Sequence, residues 1–154
     1  MVQIRRANED DFDDLLVIED ACFSIYYYGQ YKFGVTEFLY YLRSRHSIFL
    51  AAADGARVVG YAAAVVRRGK TAPAAHIDSI AVLPQRQKQG IGSQLLQAVL
   101  DEARTRHCDR AVLEVATPNE EGMAFFRSHG FHEAGKLPSY YGRGLDGILM
   151  RADL

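Results

Sequence analysis

The sequence has few of the residues that support disulfide-linked, metal-binding or membrane-spanning proteins. Its two cysteines, Cys22 and Cys108, are too few for a disulfide framework and lack the spacing of a zinc site. The five histidines are scattered, without metal-ligand spacing. No apolar run approaches the roughly 20 residues that cross a bilayer, and no basic-then-apolar signal stands at the N-terminus. We therefore expect no metal, no membrane attachment and a reducing, cytoplasmic setting.

The chain also lacks an excess of basic residues. Its 18 Lys and Arg residues face 19 Asp and Glu residues, so the formal net charge is −1. A nucleic-acid groove normally needs a basic face, and we therefore predict no nucleic-acid partner. The 154 residues contain no repeat, linker or low-complexity segment. This length predicts a single domain over residues 1–154, which buries roughly two-thirds of its unfolded surface.

Hydrophobic periodicity predicts strands that first follow one another and later alternate with helices. Asn8 and Thr36 are expected to cap the first two helices. Asp54 and Gly55 give a hairpin signal between two strands. The segment from Thr117 to Glu120 combines a capping box with a proline, which announces the last helix. The pattern favours a mixed α/β sheet wrapped by helices.

A glycine pair marks the junction between a predicted strand and a predicted helix. The strand-like run from Ile77 to Leu83 passes into a polar loop that ends in Gly90-Ile-Gly92. An amphipathic helix follows, with apolar residues at helical spacing. Glycines at such a junction let backbone amides converge, and the helix N-terminus adds roughly half a positive charge. The loop is therefore suited to a diphosphate.

Gly-x-Gly alone does not decide which phosphate group binds. The dinucleotide fingerprint needs a third glycine, and Leu95 stands at that position. The Walker loop needs a lysine that the segment from Gly90 to Ser93 does not contain. A tight strand-to-helix turn without any ligand also fits the glycines.

Three blocks of sequence resemble the GNAT superfamily of acyl-CoA-dependent N-acetyltransferases. The first is Gln87-Lys-Gln-Gly90-Ile-Gly92, preceded by Ala81-Val82 and Pro84. The second combines Leu113-Glu-Val115, Asn119 and the segment from Phe125 to Phe131, and the third runs from Tyr140-Tyr141 to Leu154. Within the superfamily, the blocks are most similar to bacterial ribosomal-protein alanine acetylases and to catalytic subunits of protein N-terminal acetylases.

This resemblance implies both a fold and a co-substrate. The fold is an α/β (α+β) GNAT domain, with a mixed, mostly antiparallel sheet of about seven strands and about four helices. Its fourth and fifth strands splay apart around acetyl-CoA, and no metal takes part. Backbone groups of the fourth strand are expected to meet the pantetheine arm, the glycine loop to hold the pyrophosphate, and two later residues to touch the arm. These cofactor-binding residues are Ile80, Ala81 and Val82, then Gln87, Lys88, Gln89, Gly90, Ile91, Gly92 and Ser93, and finally Asn119 and Phe126.

Glu114 and His76 are the candidate catalytic residues. Glu114 lies in an otherwise apolar strand, where an unpaired carboxylate is costly, and the resembling alanine acetylases carry their base at this position. His76 begins the fourth strand, and its parity predicts a shared face with Asp78 and Ile80. An unperturbed imidazole titrates near 6.5 and can relay a proton at neutral pH. A solvated strand glutamate and a strand-edge histidine are the alternatives.

One position departs from the family pattern. Phe126 stands where a tyrosine usually protonates, or hydrogen-bonds to, the departing sulfur. Another tyrosine, a water molecule or His129 can replace it. The departure also keeps open an acyl-CoA-binding module with weak catalysis. Neither cysteine falls in a matched motif, which favours direct transfer without a covalent enzyme intermediate.

Tyrosines are expected to form the acceptor groove. Tyr140 and Tyr141 match the tyrosine pair that leans over the substrate backbone in N-terminal acetylases, and Tyr26 and Tyr27 fall in the loop that forms the other wall. Packing by amphipathic rings is the alternative.

The favoured acceptor is the N-terminal α-amine of a protein or peptide. Deprotonation at pH 7 costs about 1.1 kcal/mol for an α-amine with pKa near 7.8, against about 4.6 kcal/mol for lysine. A small amine, such as an amino acid, polyamine or aminoglycoside, is the alternative acceptor. An acidic pocket would favour a polyamine, but the tyrosine-rich segments are not acidic. The resemblance is compatible with a monomer or a homodimer.

Overall fold

A seven-stranded mixed sheet organises the molecule. A computed structural model describes residues 1–23 and 32–154. The order of strands in the sheet is β1-β2-β3-β4-β5-β7-β6, and β4 and β5 are the parallel pair among antiparallel neighbours. The strands are β1 (Gln3–Arg6), β2 (Ser47–Asp54), β3 (Arg57–Arg67), β4 (Ala74–Val82), β5 (Arg110–Ala116), β6 (His132–Leu137) and β7 (Gly147–Asp153).

Helices cover the two faces of this sheet and bury two separate apolar clusters. The α-helices of the described residues are α1 (Phe12–Cys22), α2 (Val35–Arg43), α3 (Ile91–Thr105) and α4 (Glu120–Arg127). On one face, Leu15 of α1 and Phe38 of α2 pack around Tyr61 of β3. On the other face, Leu95 and Val99 of α3 are fully buried against the sheet. This arrangement confirms the predicted mixed fold. No helix within residues 1–23 and 32–154 is long and apolar enough to cross a membrane.

The parallel strands β4 and β5 separate soon after they meet. They pair only from Ala74 to His76 of β4 with Arg110 to Val112 of β5. Both strands continue well beyond this short ladder, β4 to Val82 and β5 to Ala116. The predicted splay of the fourth and fifth strands is thus confirmed, and it opens a gap in the middle of the sheet.

A β-bulge in β4 changes which side chains share a face. Ser79 is opposite Ala63 of β3, but Ile77 is opposite Ala64, so Asp78 has no partner in the ladder. An extra residue of this kind reverses the alternation of side chains beyond it. Ile80 therefore packs against the α3 cluster. The expectation that Ile80 shares the face of His76 was wrong.

Two helices begin at residues other than the predicted caps. Helix α2 starts at Val35, and the side chain of Glu37 accepts a hydrogen bond from Gly34 N at 2.7 Å, so Thr36 lies inside the first turn. Helix α4 is capped by Asn119, whose Oδ1 accepts from Gly122 N at 3.0 Å. Thr117 instead donates its hydroxyl to the carbonyl of Asp146. In both cases a nearby side chain competes better for the free amides of the helix start.

Candidate active site

A cavity of about 330 Å³ lies where β4 and β5 separate. Its polar wall combines Asp78 and His76 of β4, Glu114 of β5 and Glu19 of α1. Aromatic rings supply much of the remaining wall, in keeping with a site that encloses a substrate. These rings belong to Phe23, Phe33, Tyr41, Phe126, Tyr140 and Tyr141.

The two predicted catalytic residues contact each other in this cavity. Nε2 of His76 lies 2.9 and 2.8 Å from the two carboxylate oxygens of Glu114. Nδ1 of His76 contacts Oδ1 of Asp78, and the hydroxyl of Tyr41 donates to Oδ2 of the same carboxylate. The hydroxyl of Tyr140 donates to Glu114 at 3.3 Å. A continuous chain of polar groups therefore runs from α2 to the mouth of the cavity.

The neighbouring carboxylates determine the charge of His76. Burial alone lowers the pKa of His76, but hydrogen bonds to Asp78 and Glu114, together with their negative charges, outweigh burial and raise the pKa to about 9. At neutral pH His76 is therefore an imidazolium that donates through both ring nitrogens. A protonated imidazole cannot accept a further proton, so Glu114 is the better candidate for the base.

Glu19 is a further acidic residue of the site that sequence reasoning missed. Its side chain is almost fully buried. The carboxylate accepts hydrogen bonds from the hydroxyl of Tyr61 at 2.5 Å and from Phe33 N at 2.6 Å. Burial raises the pKa of Glu19, and these hydrogen bonds act against that increase. The signal for Glu19 was a carboxylate at helical spacing from Leu15, on the face of α1 that points to the core.

The cavity is more acidic than the tyrosine-rich segments suggested. Asp78 and Glu114 come from the strands and Glu19 from α1, whereas the sequence argument considered only the tyrosine-rich segments. The single imidazolium of His76 offsets part of this negative charge. The wall of the cavity therefore carries more acidic than basic side chains.

The glycine loop between β4 and α3 has the backbone conformation of an anion site. Gly90 is the N-cap of α3 with φ of +82°, and Lys88 also has a positive φ of +62°. Within the described residues, the backbone amides from Lys88 to Ser93 have no hydrogen-bond acceptor in the protein. The ring of Phe125 would lie 3.5 Å from a Cβ at position 92, where Gly92 stands. The protein itself therefore leaves these amides free, and the binding of a diphosphate by the loop stays a prediction.

Helix α4 is attached to this loop by side chains. Nε2 of His129 lies 3.0 Å from Ser93 Oγ, and its Nδ1 lies 2.8 Å from the carbonyl of Phe125. Lys88 and Glu121 form an exposed ion pair at 2.8 Å. His129 thus lies on the loop side of α4, and both of its ring nitrogens contact groups of the protein.

The remaining predicted cofactor residues divide between cavity, core and loop. Ile80, Asn119 and Phe126 line the cavity. Ala81 and Val82 are buried in β4, and the carbonyl of Val82 accepts hydrogen bonds from Cys22 Sγ and Gln87 Nε2, each at 3.0 Å. Ile91 is also buried, so it offers only its amide. Gln89 is exposed on the loop.

Of the four predicted acceptor-binding tyrosines, two can be located. Tyr140 and Tyr141 line the cavity from the turn between β6 and β7, with ring centroids 4.9 Å apart. Tyr26 and Tyr27 lie outside the described residues.

The parts of the chain that the structure describes contain no group of three His, Cys, Asp or Glu side chains able to hold a metal ion. The imidazole of His76 has both nitrogens engaged by carboxylates, and so it has no lone pair to offer a metal.

Comparison with known proteins identifies the family. The model of the "Acetyltransferase (GNAT) family" matches residues 12–131. The chain belongs to this family.

Individual GNAT relatives carry N-terminal acetylation in their names. N-alpha-acetyltransferase RimI of Mycobacterium tuberculosis is 39% identical over 114 residues, covering 73% of this chain and 70% of the relative. An N-alpha-acetyltransferase of Sulfurisphaera tokodaii is 31% identical over 161 aligned positions, covering 99% and 93% of the two chains. The solved structure of ribosomal-protein-alanine N-acetyltransferase from Brucella melitensis has a TM-score of 0.82 at 28% identity and covers 99% of each chain.

Membership of the GNAT family indicates which reaction the protein catalyses. The protein is an N-acetyltransferase, and the matched range contains the glycine loop, His76 and Glu114. Tyr140 and Tyr141 lie beyond the C-terminal end of the match.

Proposed function

We propose that this protein transfers an acetyl group from acetyl-CoA directly to the N-terminal α-amine of a protein or peptide. The observation that carries the proposal is the position of Glu114. Its carboxylate faces the cavity between the splayed strands, held by His76 on one side and Tyr140 on the other. The free amides of the glycine loop follow the end of the neighbouring strand β4, which carries His76.

The glycine loop supports binding of the donor. Amides that converge at a helix N-terminus favour a diphosphate, because both their hydrogen bonds and the helix dipole attract negative charge. We assign the amides from Lys88 to Ser93 to the pyrophosphate and the free edge of β4 near Ile80 to the pantetheine arm. This assignment places the thioester in the gap beside Glu114.

The cavity supports the proton transfers. A protonated amine loses two protons on its way to an amide, one to solvent and one to the departing CoA thiolate. Glu114 takes the first proton, and the amine then attacks the thioester carbonyl. A positioned base of this kind typically contributes 10²–10⁴-fold to the rate.

Tyr140 is the residue that we assign to the thiolate. Its hydroxyl donates a hydrogen bond to Glu114 at 3.3 Å, and Phe126, which has no hydroxyl, lines the same cavity. A CoA thiolate is already a fair leaving group, with a thiol pKa near 8.5 by analogy with cysteine. The replacement therefore affects the rate modestly.

Both cysteines favour direct transfer. Burial and the negative charge of Glu19 raise the pKa of Cys22 to about 11, and its Sγ contacts the Val82 carbonyl. Burial also raises the pKa of Cys108. Neither thiol forms a thiolate readily at neutral pH, and so neither is an activated nucleophile.

A peptide α-amine is an easier acceptor than a lysine side chain, because its deprotonation costs about 3.5 kcal/mol less at pH 7. The tyrosine pair suits a peptide backbone, since each ring offers an apolar face and a hydroxyl. The acidic wall favours one alternative acceptor, a small polyamine, whose several charges the carboxylates would also attract.

The test is an acetyl-transfer assay with short N-terminal peptides and small polyamines, comparing wild type with Glu114→Gln. We expect CoA release that depends on the peptide amine and falls at least tenfold in the variant. Exposed Glu9, changed to Gln, is the charge-matched control. Transfer only to polyamines would show that a polyamine, and not a peptide α-amine, is the acceptor. Tight binding of acetyl-CoA without transfer to any amine would indicate an acyl-CoA-binding module.

A further inference from the structure

Strand β4 brings a second carboxylate to His76. Asp78 lies two residues after His76, so its side chain shares the face of His76, as strand parity predicted, and the bulge reverses the alternation only beyond it. Asp78 uses both oxygens there, Oδ1 toward His76 Nδ1 and Oδ2 toward the hydroxyl of Tyr41.

Tyr41 is a rigid anchor for Asp78. Its side chain is buried in α2, and its ring stacks on Phe33 with centroids 5.4 Å apart and lies 5.6 Å from the ring of Phe49. Burial and the negative charge of Asp78 raise the pKa of Tyr41 above its usual range, so its hydroxyl stays a neutral donor. The position of Asp78 is therefore set by packing on α2 as well as by strand β4.

We propose that Asp78, anchored by Tyr41, is a positioning residue that holds His76 as the fixed, charged partner of Glu114, so that Glu114 and not His76 takes the proton of the acceptor amine. The proposal rests on the function proposed above. It assigns to Asp78 and Tyr41 a role that acts through His76.

The charges explain why a second carboxylate is useful. An imidazolium beside Glu114 orients that carboxylate, but it also opposes proton transfer to it, because protonation removes the attraction between the two. Asp78 offsets the imidazolium charge, so the pair of His76 and Asp78 that Glu114 contacts is close to neutral overall. The orientation is kept while the opposing charge is reduced.

The groups around His76 agree with this assignment. Asp78 and Glu114 contact the ring directly, from β4 and β5. Tyr41 of α2 and Tyr140 of the β6–β7 turn hydrogen-bond to those two carboxylates. Farther away are Glu19 of α1 with Tyr61 of β3, and Arg67, whose positive charge lowers the pKa of Tyr41.

The test is a pH titration of the His76 imidazole by NMR in the protein without substrates, with the signal assigned by its loss in His76→Gln. We expect titration near pH 9 in wild type and a decrease of at least one pH unit in Asp78→Asn. The exposed Asp101, changed to Asn, is the control and should leave the titration unchanged. Titration of wild-type His76 near 6.5, or an unchanged value in Asp78→Asn, would overturn the proposal.

A kinetic measurement separates positioning from simple structural support. The alkaline limb of the kcat profile should move to lower pH in Asp78→Asn by the same interval as the His76 titration. Tyr41→Phe, which keeps the buried ring, should lower kcat about threefold without changing the KM for acetyl-CoA. An alkaline limb that stays in place while the titration moves would refute the link to Glu114. Because the NMR result needs no turnover, it decides the inference even if the proposed acceptor is wrong.

Discussion

The glycine loop and the cavity present different kinds of groups to a ligand. The loop offers the backbone amides from Lys88 to Ser93, and its main requirement is the positive φ that Gly90 adopts readily. The cavity depends on side chains that converge from α1, α2, β4, β5 and the β6–β7 turn. A site made of main chain leaves a local pattern in the sequence, whereas a site made of converging side chains depends on the tertiary fold.

The largest effect should follow removal of the base from the cavity. In Glu114→Gln we expect kcat to fall about 100-fold, the lower end of what a positioned base contributes. The Kd for acetyl-CoA, measured by calorimetry, should change less than twofold, because the loop is intact. A variant that lost donor binding together with turnover would show that the two regions are not separable.

The next effect concerns the unfolding free energy of the protein as a function of pH. The pKa of His76 is raised from 6.5 to about 9 in the folded protein, so its contribution is fully present below pH 6.5 and is lost as pH rises through 9. The loss is at most about 3 to 4 kcal/mol of unfolding free energy, at 1.36 kcal/mol per pKa unit over about 2.5 units. Urea unfolding of wild type and His76→Gln from pH 6 to pH 10 measures it. A pH dependence that is the same in both proteins would contradict the charge assigned to His76.

A smaller effect is expected in the loop. Gly90→Ala places a Cβ at φ of +82°, a conformation that costs roughly 1–2 kcal/mol for other residues. We expect the Kd for acetyl-CoA to rise about fivefold with kcat nearly unchanged. Gly55→Ala is the matched control, because Gly55 also has a positive φ, +61°, but lies in the β2–β3 hairpin. Equal weakening in both variants would mean that the effect is general destabilisation.

The smallest effects should be at the position of the missing hydroxyl. Tyr140→Phe is expected to lower kcat about threefold, because it removes the hydroxyl that we assign to the thiolate. Phe126→Tyr should leave turnover unchanged or faster and should partly restore the rate in the Tyr140→Phe background. Steady-state kinetics of the two single variants and the double variant test this coupling. A large loss in Phe126→Tyr would show that the ring packs where no hydroxyl is tolerated.

The fold and the glycine loop could be predicted from the sequence more completely than the cavity could. Strand and helix order followed from periodicity, and the glycine spacing predicted the loop because its conformational requirement is local. The pairing of His76 with Glu114 could not be predicted, since it needs the short parallel ladder between β4 and β5. Strand parity placed Asp78 correctly on the face of His76, but the bulge at Asp78 has no signal in the sequence, and parity therefore placed Ile80 on the wrong face.

The central claim is that the two regions together acetylate a free α-amine. The most direct measurement is CoA release from acetyl-CoA with two peptides that are identical except that one has its N-terminal amine blocked. We predict release with the free peptide and none above background with the blocked one. Equal release with both peptides, or none with either while acetyl-CoA binds, would contradict the claim.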